Sequence, residues 1–325
     1  MLPVRLLLAA TAFVARMGTA YATSLEEGRR LTEAFIGGQA DTLIDRMTPQ
    51  MREVVVSAEA LHALRDEVEA TWGAEKDASE QLFRENAYSI YIRRGVHEKS
   101  DVPLITQFSF DREGKIAGFF VRGATPPAAS RFEEYETKAS LRLPFDGEWY
   151  VYWGGRMVED NYHAADPGQR YAVDFLVKEK NWLHAGKGTS PSDYYCWGRP
   201  VLAPADGTVV TAVNDLPDQM IGAADPQNPA GNHVVIDLGN DEYLFLAHMR
   251  RGTISVKAGD KVTSGQPIGV CGNSGNTSEP HLHMHLQTTP ELGNGEGLPM
   301  QFVNYRAENP VERGEPQRGE RVSPQ

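Results

Sequence analysis

Residues 281–285 read His-Leu-His-Met-His, a strict alternation of imidazole and apolar side chain. A period of two sends successive side chains to opposite faces of an extended strand. The stretch is therefore predicted as a strand, with His281, His283 and His285 on one face and Leu282 and Met284 packed on the other. Three imidazoles on one face call for solvent or for a metal ion, and imidazole is a common zinc ligand. The approach to this strand, GNSGNTSEP over residues 272–280, is dense in turn residues.

Seven of the nine histidines fall between residues 163 and 285, an uneven placement that directs attention to the second half of the chain. There, Tyr171-Ala172-Val173-Asp174-Phe175 is an apolar strand broken by one carboxylate. A buried carboxylate is costly unless it is paired or holds a metal. Asn161-Tyr162-His163 offers an imidazole shortly upstream, and His248 closes the apolar run YLFLA. Asp166 and His184 compete with His163 as ligands. His62 and His97 stand alone, and His233 and His285 are expected to be structural.

A chain of 325 residues, 41% hydrophobic and 23% charged, has the profile of a globular protein with two domains. Residues 1–22 combine a basic start, the apolar run LLLAATAFVA and Ala20-Tyr21-Ala22, the pattern of a cleaved signal peptide. That run is too short to span a bilayer, and no later stretch is long and apolar enough. Residues 23–123 are expected to form an α+β domain of cone-like helices and a curved sheet. Ser24 and Glu27 form a capping box for a helix ending near Gly37, and a second helical stretch covers about 40–55. A third runs from Ser57 to Trp72 with Leu61, Leu64, Val68 and Trp72 on one face. Strands are predicted over 86–94, 103–110 and 115–122, and the order of helices and strands is similar to that of nuclear-transport-factor-like domains. Residues 124–147 are expected as a linker, 148–305 as a mainly-β domain, and 306–325, charged and poor in large apolar groups, as a disordered tail.

The second domain resembles the lysostaphin/LytM-type zinc metallopeptidases, enzymes that cut peptides of bacterial peptidoglycan. Five segments carry the resemblance in family order: the pair His163 and Asp174, RPVLAPADGTVV, GNHVVIDLG, LFLAHMR and KAGDKVTSGQPIGVCGNSGNTSEPHLHMHLQ. The resemblance implies one zinc ion per chain held by His163, Asp174 and His283, with His248 and His281 as catalytic residues. It implies a zinc-dependent endopeptidase with a peptidoglycan peptide as substrate, exported to the periplasm or beyond the cell. One departure concerns spacing. The family places its first His four residues before the Asp, whereas eleven separate His163 from Asp174, with Pro167-Gly168 available for a loop.

Two other classes compete. A family member that binds wall without cutting it typically lacks ligands, whereas here every role has a candidate. A lipoyl-type carrier barrel is suggested by ADGTV and AGDKV, but no Lys sits at the hairpin tip such a carrier modifies. A net charge of −12, or −14 with 30 basic against 44 acidic residues after residue 22, disfavours nucleic acid as a partner. Cys196 and Cys271, an even pair in an exported chain, are expected to form a disulfide.

Overall fold

The structure, a computed structural model, describes residues 25–55 and 57–325. The expected signal peptide and Ser24 lie outside the described residues. The chain divides into two compact units, Met1–Ala124 and Thr125–Gln325.

Unit 1 begins with α1 (Leu25–Ile36), α2 (Ala40–Arg46), α3 (Pro49–Val55) and α4 (Ala58–Trp72). The expected second helix is thus two, broken just before Pro49, whose ring cannot continue a preceding helix. Helix α4 starts where Ser57 accepts the backbone N–H of Ala60, and it stops at Gly73, whose φ of 71° is left-handed. Four antiparallel strands follow, β1 (Glu75–Glu85), β2 (Tyr88–His97), β3 (Leu104–Phe110) and β4 (Ile116–Gly123), in that spatial order. The helices bury Leu31, Phe35, Leu43 and Leu61 against Tyr91, Phe108, Phe110 and Phe119 of the sheet. The sequence reading missed β1, because EKDASEQLFRE carries six charges and shows little apolar alternation.

Unit 2 contains β5 (Trp149–Trp153), β6 (Val173–Leu176), β7 (Pro200–Leu202), β8 (Gly207–Val213), β9 (Asn232–Asp237), β10 (Tyr243–Met249) and β11 (Lys261–Val262). It continues with β12 (Pro267–Val270), β13 (Leu282–Gln287), β14 (Gly297–Leu298), β15 (Phe302–Arg306), β16 (Pro310–Gly314) and β17 (Arg321–Pro324). The large open sheet runs β11-β8-β9-β10-β13-β6-β5-β17-β15-β16, with β14 beside β13, and β12 pairs with β7 separately. Its helical content among the described residues is two 3-10 turns, at Tyr162–Ala165 and Pro191–Asp193. Strands β10, β13 and β6 sit side by side at the centre, each with one face in a continuous apolar core that includes Leu244, Leu246, Val173, Phe175, Leu282, Met284 and Leu286.

Two expectations about segments are corrected. Residues 124–147 are not a free linker: Leu141, Leu143 and Phe145 are fully buried in the core of unit 2, and Phe145 stacks on Trp149 at 4.6 Å. Glu242, also fully buried, grips the same segment through the backbone N–H of Ala139 (2.9 Å) and the Tyr135 hydroxyl (3.0 Å). Residues 306–325 are not a disordered tail. They form β16 and β17, and β17 lies between β5 and β15 with Val322 fully buried. Neighbouring strands satisfy the backbone of this segment, and Val322, with Ala307 and Val311 packed partly against the same core, supplies the apolar burial that seats it.

The expected disulfide is also corrected. Cys196 and Cys271 are free and buried, and the Cys196 thiol donates to the Pro280 carbonyl at 2.8 Å. Burial pushes the Cys271 thiol well above its usual range, so it behaves as a neutral core group.

Candidate metal centre

The antiparallel register of β6 and β13 sets Asp174 directly opposite His283. Alternation along both strands then decides which side chains enter the core. Val173 and Phe175 go inward with Leu282, Met284 and Leu286. Asp174, His283 and His285 therefore share the other face, and all three are buried. The alternation predicted for 281–285 accounts for this face, although His281 lies just before the strand begins and is held by a single bridge to Gly272.

His163 arrives from the 3-10 turn at Tyr162–Ala165. The fully buried side chain of Asn161 donates to the carbonyls of Gly155 (2.9 Å) and Ala172 (2.8 Å), tying this turn to the start of β6. The eleven-residue gap is accommodated by a loop that Asp166 organises, since its carboxylate accepts the backbone N–H groups of Gly168 and Gln169. Asp166 is thereby engaged away from the cluster, and His184 packs instead beside Tyr194 at 5.2 Å.

Three donor atoms converge. His163 Nε2 lies 3.1 Å from Asp174 Oδ2, and His283 Nδ1 lies 2.8 Å from Asp174 Oδ1. One ligand atom from each residue falls within 4.8 Å of the others. Ligands held at about 2.0–2.1 Å from a tetrahedral zinc are spaced by roughly 3.3 Å, so a grouping of this size and donor chemistry suits that ion. The charge states suit it too. Burial resists ionisation of Asp174, but the imidazoles of His163 and His281 and contacts with His163 and His283 outweigh it and hold the carboxyl well below its ordinary range. Burial also pushes His283 down, toward the neutral form a metal requires.

Two further imidazoles border the cluster. The His281 ring keeps Nε2 3.7 Å from Asp174 Oδ2, while its Nδ1 donates to the Glu279 carbonyl at 2.8 Å. His248 Nδ1 donates to the Ser274 carbonyl at 2.8 Å. A carbonyl can only accept, so Nδ1 of each ring carries a proton, and in the neutral form of the ring Nε2 presents a lone pair. The two rings lie 4.6 Å apart. Burial, with the charges of His281 and His283 adding to it, holds His248 well below the usual histidine range.

His248 owes its direction to a bulge. The pairing of β10 with β9 slips between Leu246 and Met249, and His248 adopts a left-handed φ of 61°. Such a conformation is uncommon outside glycine and re-aims a side chain that regular strand geometry would turn elsewhere. Its partner Ser274 is reachable only because Gly231, at a φ of 58°, carries no Cβ: a methyl there would sit 2.1 Å from the Ser274 oxygen. The glycines around the histidine strand thus allow the backbone contact that fixes a ring nitrogen.

A cleft of about 250 Å³ opens onto Asp174 and His281 and is walled by Tyr152, Trp153, Tyr162 and Glu279. Tyr162 packs at a tilt of 35° on His163 with centroids 3.9 Å apart and meets Trp153 edge-on at 5.4 Å. The sequence reading did not single out this aromatic wall or Ser274. The only signal for Tyr162 was its place beside His163.

Residues 192–296 match the sequence profile of peptidase family M23. The peptidoglycan DD-endopeptidase ShyA of Vibrio cholerae is 40% identical over 150 residues, 46% of this chain and 27% of ShyA. The glycyl-glycine endopeptidase ALE-1 of Staphylococcus capitis is 32% identical over 136 residues, 42% of this chain and 29% of ALE-1. The chain thus spans less than a third of the length of these relatives. The catalytic domain of lysostaphin from Staphylococcus simulans aligns over 47% of this chain and 88% of its own at 21% identity and a TM-score of 0.28. The histidine strand, its glycine-bearing approach and the His248 strand end all lie within the stretch of unit 2 that is similar to peptidase family M23.

Proposed function

We propose that this chain is an exported zinc-dependent endopeptidase that hydrolyses peptide bonds in bacterial peptidoglycan, with His163, Asp174 and His283 as ligands and His248 and His281 as catalytic residues. The observation that carries this reading is the buried convergence of one carboxylate and two imidazoles beside two more imidazoles with fixed tautomers. Relatives named as endopeptidases of peptidoglycan and of glycyl-glycine bonds support the substrate class.

Zinc in this site supplies a Lewis acid that polarises the scissile carbonyl and lowers the pKa of nearby water. The remaining work falls to the protein. His281, with Nε2 free and facing the cleft, accepts the proton of the attacking water. His248 also presents a lone pair, so it takes part as a proton acceptor; it cannot donate to a developing oxyanion from Nε2 until it has been protonated. The aromatic wall of Tyr162 and Trp153 gives an extended peptide a face to lie on and covers His163 from solvent.

Digestion of purified peptidoglycan by the wild-type protein, with and without a chelator, tests the reading. Peptides should be released with glycan strands intact, and chelation should stop the release. His283→Ala should lose bound zinc and reduce activity by more than the ~100-fold expected from losing a supporting partner alone. Sugar fragments among the products, or zinc-free wild type cutting at full rate, would overturn it.

A further inference from the structure

We propose that His285 sets the tautomer of the zinc ligand His283, and that Gln287 in turn holds His285; the inference rests on the metal site proposed above. His283 faces Asp174 through Nδ1, so that nitrogen is the one whose lone pair must point to the ion. A neutral imidazole with a bare Nδ1 carries its proton on Nε2. His283 Nε2 is buried, and an acceptor 2.9 Å away meets it: His285 Nδ1. His285 can accept there only if its own proton is on Nε2. That nitrogen is buried and without a hydrogen-bond partner.

Gln287 supplies the complement. It is the next residue on the same face of β13, and its Oε1 is likewise buried and unpartnered. The Gln287 amide cannot readily turn over, because its Nε2 already donates to the carbonyls of Thr289 and Glu291, both at 2.8 Å. The oxygen is thus committed to the side where His285 Nε2 needs an acceptor. A small approach of these two side chains completes the series Gln287 Oε1, His285, His283 and metal, each N–H running away from the ion. The His285 ring is kept in plane for this by Phe245 on β10, which stacks on it at 4.4 Å with 13° between the planes. Phe245 and His285 are directly opposed in the β10–β13 register.

His285 touches neither the cleft nor the reacting atoms and is a positioning residue. Its removal would leave the His283 N–H buried without an acceptor, favouring the other tautomer, with the proton on the nitrogen meant for the metal. Without His285 the ring gains nothing by keeping Nδ1 bare.

Two variants separate this role from packing. His285→Phe keeps an aromatic ring against Phe245 and deletes the acceptor. His285→Asn loses the ring but can return an acceptor oxygen near the position of Nδ1. Zinc affinity measured by chelator competition should fall about 10–100-fold in His285→Phe and recover largely in His285→Asn, with both apo-proteins showing wild-type circular dichroism. In ¹⁵N-histidine spectra of the zinc-loaded wild type, the His283 proton should be on Nε2. Wild-type zinc affinity in His285→Phe, equal losses in both variants, or a His283 proton on Nδ1 in the loaded protein would overturn the inference. Failure of the wild type itself to bind zinc would instead overturn the metal site.

Discussion

His248 combines three features that regular strand geometry does not produce together: a left-handed backbone, burial and a ring nitrogen anchored to a main-chain carbonyl. Strained conformations of this kind persist where surrounding structure over-determines them, often at functional sites. Replacing His248 by Ala should therefore leave the ligand trio and its zinc in place while lowering peptide hydrolysis by roughly 10²–10⁴-fold, the usual span for a positioned proton-transfer group. Zinc content of the purified variant together with its hydrolysis rate checks both halves. In unit 1, hydrogen bonding to Arg29 and Tyr91 and the charge of Arg93 hold Glu80 down to about 2 from an ordinary 4.5. A carboxylate with a depressed folded-state pKa stabilises fully above its unfolded value, and that contribution is lost as pH falls through the folded one. Unit 1 should lose stability between about pH 4.5 and 2, and Glu80→Gln should flatten that part of an acid titration followed by circular dichroism.

At the scale of elements, what could be read in the sequence divides along clear physical lines. The alternation in 281–285 announced a two-faced strand because apolar and imidazole side chains differ so sharply, and Asp174 stood out because it interrupts an apolar strand. Helix α4 was legible from its cap, its stripe and its terminal glycine. Strands β1, β16 and β17 were not, since they are rich in charged residues and poor in large apolar ones and are held by backbone pairing with neighbouring strands. The segment 124–147 misled for a related reason: its prolines mark an irregular backbone, yet Leu141, Leu143 and Phe145 fill the core. The bulge at His248 also left no local trace, because it depends on how β10 pairs with β9. Glu242, reaching back to that irregular segment, gives an element-scale prediction. Glu242→Ala should destabilise the protein by about 1–3 kcal/mol, the cost of stranding buried donors, with Glu242→Gln closer to wild type in thermal unfolding.

For the whole molecule, the family match begins at residue 192, beyond both His163 and Asp174, so two of the three proposed ligands lie in the part of unit 2 that precedes the matched stretch. That part is joined to the rest through β6, paired with β13, and through β17, paired to β5 on one side and β15 on the other. Deleting residues 306–325 should expose both strand edges and cost several kcal/mol, a large share of the ~5–15 kcal/mol typical of a folded domain. Melting temperature and solubility of the truncated protein are the measurements. Strand β13 carries a wider implication. Leu282, Met284 and Leu286 help to fill the interior while His283 and His285 project from the same backbone on the opposite side. A hydrophobic substitution that shifts this strand moves the nitrogen proposed to chelate the metal with it, so interior volume and the proposed metal grip are inherited together.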